Sequence, residues 1–360
     1  MTATVAAPPL GLTTLGDHLP DPNTGWRPTE PARFREFVEL GVTAEELGFA
    51  AFHLGEHHFC DYVLSSPIPI LAAVGERTRH LRLSTAVSLL PQHDPVLVAE
   101  DYATVDVLSD GRAELIAGRG VFRGLYDQFG QDPDTSEELL VESVSLLRRL
   151  WTETDVTWSG RIRPPLTGVT VTPRPVQAPH PPIVLSASSP GSARRAAALG
   201  CPIAIPTIST GVELPNEIAR TYRDAWAATG RDPSAAVVIL HVHCYVGAGT
   251  TVEAADRWMP HQVSYLRWVL DNVRNPSTPM PPAWTSAGTP QSQAVCGSVD
   301  DVAAEVARRL DAIGGADRLL VQTDQASFPV AEVYASMARL TGQVMPQVAE
   351  RLAAPATAPS

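Results

Sequence analysis

The stretch Leu81-Arg82-Leu83-Ser84-Thr85-Ala86-Val87-Ser88-Leu89 runs into Leu90-Pro91-Gln92-His93-Asp94. A helical pattern over Pro95–Leu108 follows, and then Arg112-Ala113-Glu114-Leu115-Ile116-Ala117. The first and last pieces are short, apolar and poorly alternating, as strands buried on both faces are. The middle piece opens on proline, which suits a first helical position, and holds apolar residues at helical spacing. Strand, helix, strand with such short joints reads as a βαβ unit of a parallel sheet.

Working outward, the same alternation recurs. Pro9–Gly16 reads as a first strand and Ala32–Leu47 as its helix, stopped by Gly48. Phe49–Leu54 reads as a second strand with a helix over Pro67–Arg77. Beyond the fourth strand, Arg112–Ala117, comes a helix over Ser136–Trp151 with Glu137 and Glu138 in its first turn, where the helix dipole favours acids. Pro182–Ser186 and Pro202–Pro206 read as the fifth and sixth strands, with helices over Pro190–Leu199 and Pro215–Thr229. Val237–Val246 is the seventh strand, followed by helices over Ala254–Val273 and Val302–Ile313. Arg318–Thr323 is the eighth, closed by a helix over Val330–Met345. Eight strands, each followed by helix, predict an α/β fold, a (β/α)8 TIM barrel. A doubly wound sheet wants a glycine-rich fingerprint after its first strand, and Gly16-Asp17-His18 gives none. Two proline-rich excursions interrupt the repeat: Thr152–Pro181 before strand 5 and Arg274–Val295 after strand 7. Loops of that length usually carry function. The expected organisation is one barrel domain over residues 1–352 and a loose C-terminal tail over residues 353–360.

Composition excludes several classes of function. Arginine supplies all 27 positive charges among 360 residues and lysine is absent. Schiff-base lysine chemistry and a P-loop are therefore ruled out. A net charge of −12 leaves no basic face for nucleic acid or anionic lipid. No apolar run approaches a membrane span, and Met1–Pro9 shows no signal-peptide pattern. Cys60, Cys201, Cys244 and Cys296 form no CxxC pair, which favours free thiols and a cytoplasmic location.

Catalytic groups of such barrels sit in the loops after the strands. Gly55-Glu56-His57-His58-Phe59 follows the second strand, and His93 lies after the third. Gly118-Arg119-Gly120 follows the fourth, and Ser186-Ala187-Ser188-Ser189-Pro190-Gly191-Ser192 the fifth. The last two loops suit a phosphate. An arginine fork between glycines can meet it, and a serine-rich helix start offers N–H and hydroxyl donors. Ser188 or Ser189 would also serve as an ordinary N-cap ahead of Pro190. Adjacent residues point apart, so one of His57 and His58 is expected to face the pocket as a base and the other to be structural. His57, His58, His93 and Glu56 could supply metal ligands, but the only HxH, His241-Val242-His243, lies on the seventh strand and reads as structural. No metal is expected.

At these residues the sequence resembles the bacterial luciferase-like monooxygenase family, in its flavin mononucleotide (FMN) branch. The likeness is carried by Glu56-His57-His58-Phe59, His93-Asp94-Pro95-Val96, Leu108-Ser109-Asp110-Gly111-Arg112, Gly118-Arg119-Gly120 and Ser188–Ser192, in that order. The resemblance implies a barrel, usually dimeric, holding flavin at its C-terminal mouth. By the same likeness His57 is the active-site base near a flavin peroxide and Arg119 the phosphate-binding arginine. Ser188, Ser189 and Ser192 hold the phosphate, and Ala86-Val87 is a non-prolyl cis peptide supporting the flavin ring. Three positions depart from the luciferase pattern: Ser188 replaces an acid, Leu125 replaces another, and Gly118 replaces a reactive cysteine. Light emission from a long-chain aldehyde is therefore not expected. The implied activity is an FMN-dependent monooxygenase that takes reduced FMN from a separate flavin reductase and O₂ from solution, and oxygenates a small organic substrate. The all-arginine, alanine- and proline-rich composition suggests a GC-rich genome, and from that a role in secondary metabolism is expected. The alternatives are a deazaflavin-dependent oxidoreductase of the same fold and a non-catalytic flavin-binding protein.

Overall fold

The computed structural model of the chain describes residues 7–120, 122–161, 163–207, 212–273, 279–287 and 293–354. Eight parallel strands close on themselves in chain order. They are β1 (Leu10–Thr14), β2 (Ala51–Leu54), β3 (Arg82–Thr85), β4 (Ala113–Gly118), β5 (Ile183–Ser186), β6 (Ile203–Pro206), β7 (Val238–Val246) and β8 (Arg318–Gln322). Closure is made where β8 returns to β1, with Leu319 opposite Leu10 and Val321 opposite Leu12. The chain is a (β/α)8 barrel.

The strands lack alternation because both faces are covered. Leu12, Phe52, Leu54, Leu83 and Leu115 pack outward into the main core shared with the surrounding helices. Ile116, Val184, Ala204, Ile239 and Leu320 form a separate apolar plug inside the barrel. Two residues before the plug on β4 and β8, Glu114 and Arg318 make a buried bidentate pair (2.7 and 3.2 Å). Two residues after it on β7 and β8 come His241 and Gln322, both buried. The barrel interior is thus ionic below, apolar in the middle and polar toward the C-terminal mouth.

Local chemistry fixes the helix starts. Asp94 caps the helix Pro95–Leu108 by accepting from the Val96 N–H at 2.8 Å. Ser189 and Ser192 form a reciprocal capping box on the helix Pro190–Ala198.

Several expectations are corrected. The continuous third strand Leu81–Leu89 is broken: β3 ends at Thr85, the Ala86–Val87 peptide is cis, and Ser88–Leu89 pairs anew with β4. The excursion before β5 contains an antiparallel hairpin, Val156–Trp158 with Leu166–Val169. A short helix, Arg123–Gln128, follows β4. The last helix is divided by a π-turn at Leu340–Val344. In the second excursion Val295–Gly297 adds a strand beside the end of β7; residues 274–278 and 288–292 of it lie outside the described residues, as do residues 355–360 of the expected tail. The helix Thr251–Val273 contributes Tyr265, Leu266, Trp268 and Leu270 to a second apolar cluster with Leu15, Leu19, Tyr62 and Trp284. Leu15 follows β1 and Tyr62 follows β2, so this cluster walls one side of the mouth.

Candidate active site

A cavity of about 550 Å³ opens at the C-terminal ends of the strands. His57 and His58 line it from the loop after β2, Ala86 and Val87 from the loop after β3, and Arg119 from the end of β4. Ser188, Ser189 and Ser192 line it from the loop after β5. His57, Ala86, Val87, Arg119, Ser188, Ser189 and Ser192 therefore share one cavity, whereas His93 does not line it. Leu15, Leu89, Ile116, Leu125, Leu140 and Leu320 supply most of the apolar lining.

Part of the cavity wall is a two-arginine cradle around a carboxylate. Arg119 donates to Ser136 Oγ at 3.4 Å and stands 3.9 Å from a Glu137 carboxylate oxygen. Arg195, one turn into the helix Pro190–Ala198, pairs with the same carboxylate. Glu137 is thus an anion held between two guanidiniums, beside the N-terminus of a helix. Arg195 was not marked by sequence reading. The signal available was its helical spacing from Ser192, since helical side chains lean toward the N-terminus. Ser189 and Ser192 spend part of their donor capacity on each other: the Ser192 N–H donates to Ser189 Oγ (3.2 Å) and the Ser189 N–H to Ser192 Oγ (3.1 Å).

Gly118 has a steric reason. A Cβ there would stand 2.7 Å from Val87 Cγ2, so Val87 fills the room that a cysteine would take.

The same wall carries imidazoles. His57 stacks on Tyr62 at 4.2 Å, and its Nδ1 is buried without a hydrogen-bond partner. Burial pushes His57 down to about 4, against the opposing pull of Glu56, so the ring is neutral at pH 7. His241 also lines the cavity with an unpartnered buried Nε2, and burial pushes it down to about 3. Both nitrogens are buried within the wall, while other atoms of the two rings line the cavity.

Two expectations about histidines change here. His58, expected to point away as a structural partner of the strand end, lines the cavity and donates its Nε2–H to Glu56 Oε1 at 2.8 Å. His241, expected to be structural, is part of the cavity wall, because β7 inward positions alternate as Ile239, His241 and His243. His93 donates to the same Glu56 oxygen at 2.6 Å. Ligand atoms of Glu56, His58 and His93 lie within 4.8 Å of one another. The two N–H bonds to one oxygen account for that closeness, and no metal is assigned there.

The family model for luciferase-like monooxygenases matches residues 13–317. The chain belongs to that family. Among curated relatives of this luciferase-like chain, it is 28% identical over 222 residues to the oxygenase component of a flavin-dependent trigonelline monooxygenase from Acinetobacter baylyi, covering 61% of each chain. It spans 50–63% of the length of the first curated relatives it matches. Among solved structures, the monooxygenase RslO1 from Streptomyces bottropensis superposes with a TM-score of 0.83 at 27% identity, covering 94% of this chain and 99% of that one. The oxygenating constituent of 3,6-diketocamphane monooxygenase from a Pseudomonas putida plasmid, solved with FMN, shares the fold at a TM-score of 0.78 and 17% identity, covering 95% and 98%. Among the described residues no helix is long and apolar enough to cross a membrane.

Proposed function

We propose that this luciferase-like chain is the FMN-dependent oxygenase of a two-component system, working on a small organic substrate. The observation that carries this reading is the shape of the cavity's polarity. Two arginines that hold one carboxylate, Glu137, line the same cavity as imidazole rings and an apolar wall. A phosphorylated, planar, heteroatom-edged molecule matches that combination. Bound reduced flavin would supply the electrons that activate O₂.

The protein's own residues do the rest. Arg119, Arg195 and Ser188 hold the phosphate, with the dipole of the helix Pro190–Ala198 behind them. Ser189 and Ser192 shape that helix start, with the Ser192 hydroxyl donating to the Ser189 carbonyl. Ala86 and Val87, with Leu89, Ile116 and Leu320, support the ring and keep water from it. His57, neutral and packed on Tyr62, is the catalytic imidazole, a hydrogen-bonding ring at the reacting edge. The reading includes a separate flavin reductase as donor of reduced FMN, a homodimeric state and a cytoplasmic location.

The test is a fluorescence titration of the chain with FMN, riboflavin and a deazaflavin. Mass spectrometry of products formed from reduced FMN under labelled O₂ follows. FMN should bind best, and one labelled oxygen atom should appear in product. Preference for the deazaflavin, or label found only in hydrogen peroxide, refutes the proposal.

A further inference from the structure

We propose that Glu56 and His58 form a carboxylate–imidazole dyad that handles protons for the cavity, with His58 Nδ1 as the exchanging atom and Glu56 as its positioning residue. The inference deepens the oxygenase reading and rests on it for the identity of the proton's partner.

The geometry begins with Glu56, which is only 3% exposed and lies directly after β2. Four donors surround its carboxylate. Oε1 accepts from His58 Nε2 (2.8 Å) and His93 Nε2 (2.6 Å). Oε2 accepts from Ser88 Oγ (3.1 Å) and the Leu89 N–H (3.0 Å). A carboxylate so surrounded stays ionised. Burial, the largest single influence, pushes its pKa upward, but the His58, His93 and Leu89 hydrogen bonds and the charge of His93 together bring it down to about 2.

An ionised carboxylate only accepts, so His58 must carry its hydrogen on Nε2. The basic lone pair is therefore on Nδ1, and the ring that bears it lines the cavity. The tautomer is set by the neighbour, as it is in carboxylate–histidine pairs of hydrolases. His57 has no such support: no carboxylate bond is directed at it, and burial disfavours its charged form. The two adjacent imidazoles thus differ in support: His57 stacks on Tyr62 without a carboxylate partner, and His58 is held by Glu56.

The proton step balances simply. As an O–H or N–H bond of the cavity's occupant breaks, its electron pair stays on that atom and the proton forms a bond to His58 Nδ1. The imidazolium is neutralised by Glu56, which keeps its charge, and the return step is the reverse. His93, with a side chain 35% exposed, shares the Glu56 oxygen from the solvent side. Glu56 also fastens the Ser88–Leu89 segment to β2, so a test must separate positioning from scaffolding.

Two experiments do so. Nitrogen-15 NMR of the histidines in the flavin-free chain should show His58 as the Nε2–H tautomer, and Glu56→Ala, which removes the acceptor, should abolish that bias. In turnover with reduced FMN, Glu56→Gln and His58→Ala should each lower product formed per O₂ consumed by roughly 10²-fold, the low end for a positioned acid–base group. FMN affinity should stay within a factor of about two, since the cradle lies on other strands. Added imidazole should restore product formation in His58→Ala, a rescue that a purely structural role would not give. An Nδ1–H tautomer in the wild type, or unchanged coupling in both variants, overturns the proposal. So does a loss in His58→Ala that imidazole fails to restore. If a Glu56 variant does not fold, His58→Ala with rescue decides. If the tautomer is found but the wild type binds no FMN, the oxygenase reading fails and the dyad stands.

Discussion

Arg119→Ala and Glu137→Gln should move FMN affinity in opposite directions. Arg119 is 44% exposed and its two contacts are long, 3.4 Å to Ser136 and 3.9 Å to Glu137, so it is loosely held and partly screened. A charge-assisted hydrogen bond is worth about 1.5–3 kcal/mol, and this exposure points to the lower end, about 1.5 kcal/mol. That is roughly tenfold in Kd. Glu137, 49% exposed, is an anion competing for the guanidiniums that would hold the phosphate. Two unit charges at about 4 Å in a water-like medium repel by about 1 kcal/mol. Its neutral isostere should therefore tighten FMN roughly fivefold. Both variants are titrated by flavin fluorescence, with riboflavin as the control that lacks the phosphate. Riboflavin should bind wild type and both variants alike. If Arg119→Ala leaves FMN unchanged, the phosphate end is misplaced. If Glu137→Gln weakens FMN, the carboxylate organises the arginines instead of competing with their ligand.

Four further outcomes are expected. Stopped-flow association of FMN should stay flat or quicken slightly with added salt, because a chain of net charge −12 repels the anion at long range and salt screens that field; a steep fall would reveal a basic approach surface. His57→Ala should keep FMN affinity yet lower substrate oxidation by roughly 10²–10⁴, with O₂ diverted to hydrogen peroxide, read as product per O₂ consumed. Gly118→Ala should cost about 1–3 kcal/mol by overpacking against Val87, visible as a lower Tm in calorimetry; an unchanged Tm would mean Val87 moves aside freely. Asp17→Asn tests a buried carboxyl that desolvation, aided by Asp324, raises from 3.8 to about 7. A raised folded-state pKa gives stability that is full below about 3.8 and lost as pH rises through about 7. The variant should therefore melt higher than wild type at pH 8, with the gap closing toward pH 5.

The barrel was legible because its evidence is local. Asp94 before Pro95 and Ser189 before Pro190 announce helix starts through neighbours a few residues away. Buried apolar runs such as Leu115 to Ala117 announce strands covered on both faces. Arg119 between two glycines and the serine-rich start at Ser188 marked loops that line the cavity for the same reason. What escaped depended on distant partners. Arg195 is one of 27 arginines until the Pro190–Ala198 helix is set against Glu137. His58 looked like a strand-end residue until Glu56, fixed by Ser88 and Leu89 from the neighbouring loop, drew its Nε2 inward. His241 differs from Val242 only by which side of β7 faces the barrel axis. The sequence alone determined the order of elements and their caps, since these rest on spacing and on bonds within a few residues. Barrel closure decided which side chains share a cavity, because strand register and the inward or outward turn of each residue arise only when eight strands meet.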